Sequence, residues 1–139
     1  MIKEKFAVTQ IDRDRLENLL NSDVTFAMGG ERTHLRNLKS QLAEAVVVQP
    51  TDVQPDIITM NSTVYLLDLD RGETDIYTIV YPDEACIAEG KLSILSPLGT
   101  EVFGRRVGDT VSIRVAGREV RKRVEKLSFQ PERVGAFHL

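Results

Sequence analysis

The chain has 139 residues, of which 42% are hydrophobic and 28% charged, with two histidines, one cysteine and a formal net charge of −3. That length and apolar content suit one ordinary domain, or one compact domain with a helical appendage, and a lone cysteine excludes an internal disulfide. The start, Met1 to Phe6, is charged and no apolar run approaches about 18 residues, so neither a signal peptide nor a membrane span is expected and the expected compartment is the cytoplasm.

In chain order, a short extended stretch, Lys5 to Thr9, leads to Asp12, placed as an N-cap with Ile11 stapling against Leu16. Leu16, Leu19 and Leu20 form one apolar stripe, which predicts a first helix over about Arg13 to Asn21. Met28-Gly29-Gly30 interrupts, and Leu35, Leu38, Leu42 and Ala45 then recur at spacings of three, four and three, predicting a second helix packed on the first. Val46-Val47-Val48, Pro50 and Pro55 close it, making residues 47–56 the connector. The helices would reach about 14 Å and about 24 Å at about 1.5 Å per residue.

The remainder reads as strands. Ile57 to Met60 and Thr63 to Leu69 precede a turn at Asp70-Arg71-Gly72, and Thr74 to Tyr81 is rich in β-branched and aromatic residues until Pro82 stops it. Leu92 to Leu95 feeds a short helix. Ser96 is its N-cap, Pro97 suits its first position, and Gly104 ends it. Gly108-Asp109 then turns into Val111 to Val115, which pairs through Ala116-Gly117 with Glu119 to Phe129. Apolar parity in that last strand changes between Val124 and Leu127, placing a bulge near Glu125 or Lys126. The expected class is α+β, an antiparallel sheet carrying one short helix.

Charge is uneven along the chain. Residues 1–50 balance, residues 51–100 carry −7, and residues 101–139 carry +4. Such asymmetry points to distinct surfaces for distinct partners rather than to direct nucleic-acid binding, which usually brings overall basicity.

Most candidate chemistry has an ordinary explanation. His34 and His138 lie far apart with no ligands at metal spacing around them, so no metal or cofactor is expected. Cys86 sits in a loop-like stretch without a nearby His, as a small residue rather than a catalytic thiol. Arg118, Arg121, Lys122, Arg123 and Lys126 put five positive charges on one ribbon, either a solvated strand face or a docking surface for an acidic partner. Residues 96–109 imply no nucleophile, metal cluster or phosphate loop.

The stretch Ser96-Pro97-Leu98-Gly99, with Gly104 and Gly108-Asp109 behind it, resembles the SPxG…G…GD signature of the C-terminal domain of the bacterial Gre transcript-cleavage factors, and more closely that of the Rnk family, regulators of nucleoside diphosphate kinase. Four further matches lie elsewhere: Ile11-Asp12-Arg13-Asp14-Arg15-Leu16, Ile58-Thr59-Met60-Asn61-Ser62, Val80-Tyr81-Pro82 and Phe129-Gln130-Pro131-Glu132. Met60-Asn61-Ser62 and Gln130-Pro131 favour Rnk over Gre.

The resemblance implies an N-terminal antiparallel helical hairpin, a short coiled coil over residues 1–48, followed by an FKBP-like domain over residues 49–139. It also implies a binder of RNA polymerase, docking at the secondary-channel rim through Ser96, Pro97, Leu98 and Gly99, with no membrane partner. Any DNA association would be indirect, through polymerase. Gre factors place an acid before Ser-Pro, where this chain has Leu95, and two acids at the hairpin tip, where it has Asp23 before Glu31. A lone tip carboxylate on a short hairpin implies a noncatalytic regulator, since Mg²⁺ needs converging oxygen ligands. Prolyl isomerase activity is not expected, because the chain has no Trp and its aromatics are scattered. The second reading follows the family name and acts on nucleoside diphosphate kinase or nucleotide pools.

Overall fold

The computed structural model describes residues 7–21 and 33–135. The first strand, β1 (Ala7–Thr9), runs directly into α1 (Gln10–Leu20). Thr9 has extended φ and ψ and its hydroxyl accepts from the Asp12 N–H at 3.2 Å, so Thr9 is the N-cap and Asp12 stands inside the first turn. The expected cap at Asp12 is thereby corrected by three residues. Two good capping residues compete here, and the extension of β1 to Thr9 decides between them. Ile11 consequently points outward and is exposed, so there is no staple to Leu16.

The second helix, α2 (Thr33–Glu44), buries Leu35, Leu38 and Leu42, as its spacing predicts, and touches α1. Over the described residues the two helices are of nearly equal length, about 17 and 18 Å at about 1.5 Å per residue. Lys39 Nζ donates to Asn21 Oδ1 at 3.0 Å across them. Val46–Val48 does not merely close α2: it is a strand, β2, paired in parallel with β1 from Ala7↔Val46 to Thr9↔Val48.

The main sheet has five strands. They are β3 (Thr63–Asp68), β4 (Thr74–Val80), β5 (Lys91–Ser93), β6 (Thr110–Val115) and β7 (Arg118–Phe129), in the spatial order β5-β4-β3-β7-β6. The sheet is mixed, which corrects the all-antiparallel expectation, because β5 runs parallel to β4. Pro82 diverts the chain after β4, and two 3₁₀ turns, Pro82–Glu84 and Ile87–Glu89, make the longer crossover that parallel pairing requires. Ile57 to Met60 is not a strand either. Its residues are buried without alternation, and Ile58 bonds instead to Arg105 and Gly104 behind the short helix α3 (Pro97–Val102).

The register of β7 on β3 shifts twice, skipping Glu125 between Val124 and Lys126 and skipping Ser128 between Leu127 and Phe129. The first is the expected bulge. Together they bend the long strand so that Val124 and Leu127 both reach the core. One cluster of buried side chains joins α1 and α2 to the sheet and α3, with Leu16, Leu38, Met60, Leu66, Ile94 and Phe103 among its members. No helix of the described residues is long and apolar enough to cross a membrane.

Candidate functional site

The start of α3 is built by a relay of short local bonds. Ser96 Oγ accepts from the Gly99 N–H at 3.0 Å and donates to the Ser93 carbonyl at 2.7 Å, while the Thr100 hydroxyl donates to Ile94 O at 2.8 Å. These draw the turn so tightly against the helix that a Cβ on Gly99 would lie 2.2 Å from Ser93 O. Gly99 is therefore required by packing. Of the four docking candidates Pro97 is exposed and Ser96 half-buried, whereas Leu98 and Gly99 are buried. Leu95, at the position where Gre factors have an acid, points into the core. Its carbonyl accepts from His34 Nε2 at 2.9 Å, which ties α2 to the entry of α3.

A second constellation joins four stretches that are remote in sequence. Asp12 of α1 is only 3% exposed and accepts from the Tyr81 O–H at 3.2 Å. The Arg15 guanidinium lies 5.9 Å from the centre of the Tyr81 ring. Thr59 donates its hydroxyl proton to Glu132 Oε1 at 2.6 Å, and its oxygen stands 2.9 Å from Ser62 Oγ. Gln130 is fully buried, and its Nε2 donates to Ile57 O at 2.6 Å and Gln54 O at 2.9 Å. Burial, reinforced by the charge of Glu132, pushes the Asp12 carboxyl up to about 6 against the opposing help of Tyr81, Arg15 and Thr9. Burial and the neighbouring Asp12 push the Tyr81 phenol up as well. Sequence reasoning missed this centre as a site, although its members are the four Rnk-like matches outside the SPLG stretch.

The basic ribbon divides between the two faces of β7. Lys122 is 8% exposed, opposite Asp68 in the ladder, with its Nζ 3.9 Å from Asp68 and 3.3 Å from Asp75. It is thus not part of a solvated face. Backbone N–H groups of Arg71 and Asp70, with Lys122 nearby, hold the Asp68 carboxyl below its ordinary value. Arg121 pairs with Asp70 at 3.2 Å and Arg123 with Glu125 at 2.9 Å, both exposed, and Glu125 holds the Arg123 guanidinium up. Lys126 lies over the Tyr65 ring at 5.4 Å, and Arg118 is exposed with no side-chain partner among the described residues.

Asp23, Glu31 and His138 lie outside the described residues. Cys86 is half-buried and bridges to Lys91 through the backbone. Among the described residues no group of three His, Cys, Asp or Glu side chains could hold a metal ion.

A strand-built domain carrying a capped SPLG turn, with a helical segment in front, matches one family over more than half the chain. Residues 53–129 fit the family described as "Transcription elongation factor, GreA/GreB, C-term", and the chain belongs to it. Within that class its full-length correspondence is to the "Regulator of nucleoside diphosphate kinase" of Escherichia coli K12, 28% identical and covering all of both chains. The GreA of Thermodesulfovibrio yellowstonii is 30% identical over 69% of this chain, which spans 61% of that relative's length. Among solved structures, a GreA/GreB factor from Nitrosomonas europaea superposes with a TM-score of 0.76 at 30% identity, covering 91% of this chain and 100% of the other. The Gfh1 transcription factor, at 21% identity and a TM-score of 0.51, shares the fold.

Proposed function

We propose that this protein is a noncatalytic transcription regulator that docks on RNA polymerase near its secondary channel and competes there with Gre-type factors. The observation that carries this reading is membership of the GreA/GreB family together with an intact capped turn, whose Pro97 is presented to solvent at the start of α3. Residues 1–48 act as an antiparallel helical hairpin, with Asp23 as the one acid of its tip before the helix resumes at Glu31, and residues 49–139 as the FKBP-like docking domain. Helices of about 17 and 18 Å and a single tip acid would occupy the channel entrance without bringing two carboxylates to the polymerase metal. The site of action is the cytoplasm.

The test is incubation of stalled, backtracked polymerase complexes with purified protein and Mg²⁺, using a Gre factor as control and competitor. Suppression of Gre-driven cleavage without products of its own supports the reading. Short 3′ products that vanish in Asp23→Ala would overturn it. The name of the full-length relative favours a second reading, regulation of nucleoside diphosphate kinase and nucleotide pools. Recovery of the kinase, and not polymerase, by the immobilised protein would select it.

A further inference from the structure

The N-terminal part of the chain is a unit with its own ladder. β1 and β2 form a separate two-stranded sheet on either side of α1 and α2, and neither strand joins the five-stranded sheet. Leu16, Leu20, Leu35, Leu38 and Leu42 press this unit against the rest of the core. Directed contacts at its margin set its angle: the Tyr81 O–H donates to Asp12 at 3.2 Å, and His34 bonds the Leu95 carbonyl at 2.9 Å. A unit paired within itself and held to its neighbour at the margin can open while that neighbour stays folded.

The contact at Asp12 buries a carboxyl without a counter-ion. Asp12 is 3% exposed, and among the described residues it belongs to no ion pair. Arg15, on the same helix, sits over the Tyr81 ring at 5.9 Å. Tyr81 faces Asp12 from the end of β4, the Thr9 hydroxyl from β1, and Glu132 from the turn after β7, where Thr59 holds it at 2.6 Å. α2 turns Arg36, Lys39 and Glu44 to solvent, and β2 carries no charge. Burial first, and Glu132 second, push the Asp12 carboxyl up to about 6 from an ordinary 3.8. Once ionised, Asp12 regains water only if the start of α1 lifts away from Tyr81 and Glu132.

We propose that the Asp12 contact is a proton-operated latch: the neutral carboxyl holds the unit of β1, α1, α2 and β2 on the five-stranded sheet, and its ionisation loosens that unit while the sheet stays formed. A carboxyl raised in the closed state and ordinary in the released one favours closure at mildly acid pH and release as pH climbs through about 6. The latch does not rest on the polymerase reading. It sets how firmly the helical unit is held in place, whatever partner that unit meets.

The experiment is amide hydrogen exchange on the full chain at pH 5 and pH 7.5, with every rate corrected for the pH dependence of an unstructured amide. Return of Asp12 to its ordinary value on release implies that the opening equilibrium read at Leu16 and Leu20 rises about tenfold across that interval. At pH 7.5 these amides are expected to exchange faster than those of Leu66 and Val124 in the five-stranded sheet. Asp12→Asn should abolish the rise, Glu132→Gln should reduce it, and His34→Gln should leave it in place. Exchange of Leu16 and Leu20 in step with Leu66 and Val124 at pH 7.5 would overturn the proposal, because the chain would then open only as a whole. So would a flat profile in the native protein, a rise undiminished in both Asp12→Asn and Glu132→Gln, or one that disappears in His34→Gln.

Discussion

Asp12→Asn is expected to stabilise this protein at neutral pH. In the folded chain the Asp12 carboxyl is raised from 3.8 to about 6, chiefly because it is buried and secondly because Glu132 faces it. A folded value above the unfolded one means that its stabilising contribution is complete below about pH 3.8 and is lost as pH rises through about 6. At about 1.4 kcal/mol per pH unit, the interval is worth about 3 kcal/mol. Opposing it, the first turn of α1 favours a negative charge by about 0.3–1 kcal/mol, too little to change the sign. Asn keeps the shape, lets Tyr81 O–H still donate to Oδ1, leaves the Thr9 cap intact and removes the repulsion from Glu132.

Urea unfolding followed by far-ultraviolet circular dichroism at pH 4.5 and pH 8 would check this. The variant should exceed the native protein by about 2–3 kcal/mol at pH 8 and converge with it toward pH 4.5. Asp68 acts in the opposite sense: its lowered value gives stability that is present above about 3.8 and is lost below it, outside this window. A native stability that stays flat between pH 4.5 and 8, or a variant less stable at pH 8, would refute the reasoning that burial governs Asp12.

Three further outcomes are expected. Gly99→Ala should lower the unfolding free energy by about 1–3 kcal/mol, because its Cβ meets the Ser93 carbonyl, and an unchanged urea midpoint would deny the close approach. Lys122→Met, which strips the cation from between Asp68 and Asp75, should shift the midpoint more than Arg121→Met, whose exposed pair with Asp70 is worth less than about 1 kcal/mol; equal shifts would place both residues on a solvated face. The double variant Ser96→Ala, Pro97→Ala should cost about 1 kcal/mol of stability and weaken polymerase binding in a pull-down, and full binding by the folded double variant would remove α3 from the docking surface.

What could be read from the sequence was local chemistry. Ser96 and Pro97 announce α3 because cap and first-turn preferences act within four residues, and the break in apolar parity after Val124 announces the bulge at Glu125. The second bulge, at Ser128, falls where the strand ends, so no later residue reveals it. Lys122 shares the parity of Val120 and Val124, but a charged side chain ordinarily argues for a solvent-facing position. Its buried position becomes explicable only once Asp68 and Asp75 are brought beside it by the β3 and β4 pairings. The parallel ladder of β1 and β2 joins residues on either side of two helices, and a run of three valines does not say which strand it will meet. Thr9 and Asp12 were each adequate caps, and that non-local ladder selected Thr9.

The junction around Asp12 explains why matches scattered along the chain belong together. Asp12 comes from α1, Thr59 and Ser62 from the turn before β3, Tyr81 from the end of β4, and Gln130 and Glu132 from the segment after β7. Gln130 fastens that last segment to Gln54 and Ile57, Glu132 receives the hydroxyl of Thr59, and Tyr81 reaches across to Asp12 on the helix. These bonds run between elements, not within one. A buried carboxylate that lowers stability at neutral pH is a poor choice for holding two surfaces together, when an Asn or an apolar pair would serve. The choice makes sense if direction matters more than strength: a bond from Tyr81 to one oxygen of a buried Asp fixes how α1 is seated on the sheet, where a greasy contact would let it slide. His34 does the same at the other helix by bonding the Leu95 carbonyl beside the start of α3. Both helices are thus aligned from the sheet side by polar contacts, one of them adjoining the turn proposed to dock. On the proposed polymerase reading, a helical segment that enters the channel while the sheet rests on the rim needs that fixed relation between the two.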